Sequence, residues 1–103
     1  MALAGGVMFC NKKKTKRRVE KIVEEQYWNG FIDHASGKKN GLEYASDSGW
    51  YSYNEARKIA YNAGWDYAEK IAQWRQDNKK IIWIDKKIPA RVYADAYASK
   101  RLC

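Results

Sequence analysis

Apolar positions in this chain recur at three- and four-residue steps, and the longest such run spans Tyr53 to Asn78. Ala56, Ile59, Ala60, Ala63, Tyr67, Ile71 and Trp74 fall on one stripe of a helix. Ser52 and Glu55 read as a capping box at its start: the hydroxyl accepts from free amides while the carboxylate reaches back. Gly64 interrupts the run at a cost of about 1 kcal/mol relative to alanine, and a glycine kept there lets another backbone come close. The stretch also has an echo. YWNGFIDHA, Tyr27 to Ala35, and YNAGWDYAE, Tyr61 to Glu69, are both Tyr-x-x-Gly-aromatic. The echo predicts two helices that meet at Gly30 and Gly64, with Phe31 and Trp65 wedged beside the crossing.

The first of these helices is expected over about 16–36. Thr15 is placed to cap it, Val19, Ile22, Val23, Tyr27 and Gly30 share one face, and Glu20, Lys21, Glu24 and Glu25 decorate the other. Gly37 suits the position just past its end, with Lys38 and Lys39 where cations favour the helix dipole. The loop from Gly37 to Ser52 is expected to tuck Leu42, Tyr44 and Trp50 beneath it. Isoleucines at 81, 82 and 84 around Trp83, bounded by lysine pairs, predict a short extended segment over 81–85. Pro89 then suits the first turn of a last helix over about 89–101, striped by Val92, Tyr93, Ala96 and Tyr97. The fold class expected is mainly α: a small hairpin of two antiparallel helices, about 16–36 and 53–78, plus a C-terminal helix. Residues 1–11 are apolar but not periodic, and read as a flexible N-terminus ahead of a single basic helical domain, 12–103. Their basic neighbours follow the apolar run, opposite to a signal peptide, and the run is far short of the roughly 20 residues that cross a bilayer.

Charge adds a second feature. Twenty Lys and Arg stand against 12 Asp and Glu, a formal net charge of +8. That is the footprint of a protein that meets phosphate backbones or acidic surfaces. Lys12, Lys13, Lys14, Lys16, Arg17 and Arg18 crowd into seven positions, a run that repels itself and that a polyanion would draw into the following helix. Cys10 and Cys103 lie near opposite ends and read as reduced cysteines of a cytoplasmic protein. With His34 the single histidine, a zinc site lacks ligands, so no metal or other cofactor is expected.

Tyr27-x-x-Gly30-x-x-x-x-Ala35-x-Gly37-Lys38, a polar loop, then Ala60-x-x-Ala63-Gly64-Trp65-x-x-Ala68-Glu69 resembles the ribosome modulation factor family over roughly Gln26 to Lys70. Members of that family are small basic proteins of two helices. The resemblance implies association with the ribosome, where the type member binds the small subunit at the site of messenger RNA docking and promotes ribosome dimers.

No catalytic constellation accompanies these features. Asp33 and His34 are adjacent, and neighbours on a helix point about 100° apart; His34 is expected to face solvent or to cap. The reading is therefore a binding protein, not an enzyme. In an antiparallel hairpin the start of the first helix meets the end of the second. Lys12 to Arg18 would then lie beside Arg75, Lys79 and Lys80 with Trp74 and Trp83 nearby, and Lys38 and Lys39 would add phosphate contacts from the loop. The partner expected is structured RNA, foremost the ribosome, with no membrane involved. Two alternatives stand beside it: a regulator of phage or mobile-element type that grips a host protein through Trp28, Tyr51, Tyr53 and Tyr61, and a non-specific DNA-binding protein.

Overall fold

In a computed structural model of the chain, the structure describes residues 12–40, 53–78 and 83–100. They are mainly helical: α1 spans Lys12–Ala35, α2 spans Asn54–Asn78 and α3 spans Ala90–Lys100. No strand occurs among the described residues.

α1 begins four residues earlier than the capping pattern suggests. Thr15 sits inside the helix, not at its cap, because lysine and arginine are good helix formers and carry the helix back through the basic run. Its other end follows the sequence closely. The Gly37 amide donates to the His34 carbonyl at 3.1 Å and the Lys38 amide to the Asp33 carbonyl at 2.9 Å. Gly37 has φ +74°, so this is a Schellman closure with glycine in the left-handed region. At the start of α2, Tyr53 also has a positive φ, 67°, and its carbonyl accepts from the Arg57 amide at 3.0 Å. The proposed cap Ser52 and the loop residues Leu42, Tyr44 and Trp50 lie outside the described residues, as do residues 1–11, 79–82 and 101–103. In front of α3 the Val92 amide donates to the Pro89 carbonyl at 3.0 Å, which sets proline in the first turn.

The crossing of the two long helices is where the echo puts it. A Cβ on Gly64 would fall on the Tyr27 carbonyl oxygen and lie 2.6 Å from the carbonyl carbon. A Cβ on Gly30 would run into the Tyr61 carbonyl oxygen and lie 3.0 Å from the Trp65 nitrogen. Each glycine thus receives the backbone of the other helix's tyrosine. On α2 the buried positions are Ala56, Ala60, Tyr61, Gly64, Ala68 and Ile71. This corrects the expected stripe: Trp74 is exposed, and the small residues at 56, 60, 64 and 68, four apart, form the line of closest approach.

Val19, Ile22, Val23 and Tyr27 of α1 share one core cluster with Ala56 and Ala60 from the first half of α2. Phe31, His34 and Ala35, at the end of α1, share a cavity with Ala68, Ile71 and Arg75 from the second half of α2. α3 seals the cluster with Val92 and Ala96, and Ile88 joins from the residues ahead of it. It runs back along α1, with Tyr93 and Tyr97 within electrostatic reach of Glu24 and Glu20.

Residues 83–85, the described part of the expected extended segment, carry no regular structure. They lie on the surface, with Trp83 90% exposed, so no buried strand forms from them. The Asp85 amide donates to the Tyr67 hydroxyl at 2.7 Å and the Asp85 carboxylate accepts from the Lys87 amide at 2.9 Å, which pins the segment to α2 through one polar anchor.

Candidate nucleic-acid interface

The basic run occupies the first two turns of α1. Lys13, Lys14, Lys16, Arg17 and Arg18 are all exposed, and successive residues 100° apart distribute them around the helix. Lys13 and Arg17, and Lys14 and Arg18, are four residues apart, so like charges are stacked as neighbours. The first turn holds no carboxylate, and cations there also oppose the positive end of the helix dipole. Stacked like charges and the helix dipole both work against the cluster. A row of phosphates relieves both terms at once.

The other basic residues are elsewhere. Lys38 and Lys39 are exposed just past the end of α1, and Arg75 lines the cavity beside Phe31, His34 and Ala35. From Lys16 to Ala35 the helix rises about 28 Å, so Arg75 stands near the far end of α1 from the basic run. The single pole expected from the sequence is thus not formed by Arg75. Its location follows from the pairing of α1's end with α2's second half, which no spacing within one helix reveals. Lys79 and Lys80 lie outside the described residues, as does the Lys12 side chain. What the structure brings together is two basic groups, one at each end of α1.

Between these ends lies an aromatic and polar seam. The Tyr61 hydroxyl donates to the Asp33 carboxylate at 2.6 Å, joining α2 to α1. His34 meets the Trp65 ring edge-on at 4.9 Å between centroids, in place of the solvent-facing or capping role expected for it. Phe31 packs between Trp28, at 5.4 Å, and Tyr67, at 5.5 Å. Tyr61 is only 7% exposed, so it is not the surface anchor the sequence suggests; Trp28 and Tyr53 are half-buried and Tyr51 is outside the described residues. Burial pushes the Tyr27 phenol up to about 12, aided by Tyr67 beside it. Tyr93 and Tyr97 are raised for the same first reason, with Glu24 and Glu20 adding to it.

Among the described residues no group of three His, Cys, Asp or Glu is arranged to hold a metal, and no helix is long and apolar enough to cross a membrane. No protein-family model, no curated protein and no solved structure matches the chain.

Proposed function

We propose that this is a small basic RNA-binding protein that associates with the ribosome and modulates translation. The observation that carries the reading is the exposed collar of Lys13, Lys14, Lys16, Arg17 and Arg18 around the start of α1. The first turn of the helix contains no Asp or Glu. A second group, Lys38, Lys39 and Arg75, sits roughly 28 Å further along the same axis by helix rise. Two groups at that separation suit a long phosphate track better than one compact anion. Contacts of this kind fix position on an RNA without reading its sequence. The resemblance over Gln26 to Lys70 supports the ribosome as the particle concerned.

The test is a pull-down from bacterial lysate with and without nuclease, followed by gradient sedimentation. Co-migration with ribosomal particles, released by nuclease and by salt, is the expected result. Changing Lys13, Lys14, Arg17 and Arg18 to glutamine should weaken RNA binding across sequences and flatten its salt slope by about one unit per lost contact. Capture of a single protein that ignores both nuclease and salt would reject the reading. It would favour the host-protein regulator, for which the exposed Trp83 and Trp74 are the specific support.

A further inference from the structure

The cavity at the end of α1 is chemically unlike the basic collar. It measures about 250 Å³ and lies between the last turn of α1, the second half of α2 and the segment at Ile84. Its walls are the Phe31 ring, Ala35, Ala68, Ala72, and the Ile71 and Ile84 side chains. Two polar residues complete the lining, His34 and Arg75. Ala35, Ala72, Arg75 and Ile84 are themselves exposed, so it opens to the surface along the side that Arg75 and Ile84 border. The Arg75 side chain makes no ion pair or hydrogen bond with the described residues.

Those features set the chemistry of an occupant. At ~30 Å³ per water the space equals roughly eight waters, and it falls just below the roughly 300–1,000 Å³ of drug-sized sites. Water is a poor filling here, because it needs two to four polar partners and most of the wall offers none. An apolar body of one ring or a short chain would displace it. The planar guanidinium matches a carboxylate, which it binds through two parallel hydrogen bonds. His34 is held by the Trp65 ring at 4.9 Å and borders the same space, where it can add one further hydrogen bond.

We infer that the cavity binds a carboxylate carried on a small apolar body, with the body against Phe31, Ile71 and Ile84 and the carboxylate on Arg75. Two sources share that chemistry: a free aryl or alkyl carboxylic acid, and the C-terminal residue of an apolar peptide end. The site is separate from the collar but shares Arg75 with the second of the two basic groups, so this inference rests partly on the same residue as the RNA reading.

The test uses the full chain and 3-phenylpropionate, followed by calorimetry and by the methyl resonances of Ala68, Ala72 and Ile71. Saturable binding that shifts those methyls is expected, and 3-phenylpropanamide, which lacks the charge, should bind at least tenfold more weakly. Arg75→Gln should weaken the acid about tenfold and leave the amide unchanged. Ala72→Phe should abolish both by filling the space. Arg75 is exposed, so the first variant keeps the test decisive if the second fails to fold. An acetylated Gly-Gly-Phe peptide with a free C-terminus, compared with its C-terminal amide, separates the sources: stronger binding than 3-phenylpropionate assigns the site to chain ends, weaker binding to free acids. Equal binding of acid and amide, indifference to Arg75→Gln, or methyl resonances that do not move would overturn the proposal.

Discussion

At the scale of single residues, two glycines with different reasons for being glycine give a clean comparison. Gly64 needs the absence of a Cβ, since one placed there would occupy the Tyr27 carbonyl. Gly37 needs φ +74°, and nothing lies within 4 Å of the Cβ it lacks. Gly64→Ala should therefore cost at the upper end of roughly 1–3 kcal/mol, through overpacking of backbone that cannot step aside. Gly37→Ala should cost only about 1 kcal/mol, the strain of a left-handed turn. Paired thermal melts measure the difference, and equal melting temperatures would count against the crossing. Tyr27 supplies a pH signature. Its folded value of about 12 lies above the ordinary 10.0, so the folded state holds the proton more tightly. The stability this contributes is fully present below pH 10 and is lost as pH rises towards 12. Tyr93 and Tyr97 are raised as well and act in the same sense. A urea titration at stepped pH should show stability falling in that window, and Tyr27→Phe should make the fall shallower.

At the scale of elements, the start of α1 is at odds with its own helix. Lys13→Glu and Lys13→Asp place carboxylates where the dipole favours them, so each should raise stability by about 0.5 kcal/mol. The same changes should weaken RNA binding. Opposite signs in a denaturation curve and a filter-binding assay would mark this residue as kept for a partner; parallel losses would mark it as structural. The helices themselves were legible because their periodicity, the terminal Gly37 and the Tyr-x-x-Gly echo are all local patterns. The pairing between them was not. Which residue of α1 meets which of α2 is decided by how the two helices are directed and set against each other, and neither helix encodes that alone. Hence Arg75 was expected beside the collar and is found beside Ala35, while the Tyr61–Asp33 hydrogen bond gave no signal in either spacing. Trp74 departs from the expected stripe for a related reason. Counting apolar residues put it on the buried stripe, whereas the surface that packs is chosen by smallness, at Ala56, Ala60, Gly64 and Ala68.

At the scale of the whole molecule, α1 acts as a beam with different chemistry at each end: a collar of cations at its start, an apolar cavity with one cation at its finish. The aromatic seam of Trp28, Phe31, Trp65 and Tyr67 packs beside the part nearest the cavity. α3 has another role. Val92 and Ala96, almost fully buried, are joined with Ile88 to a cluster whose other members all precede residue 61. A chain emerging from synthesis at about 5–20 residues per second has both long helices in hand well before it has the residues that cover them. Val19 and Val23 must wait, uncovered on one side, until Ala96 has been made. A chain stopped before that point would pair an open apolar face with the cationic collar. In the crowded, anionic surroundings of a translating ribosome, that is the form most in need of a partner.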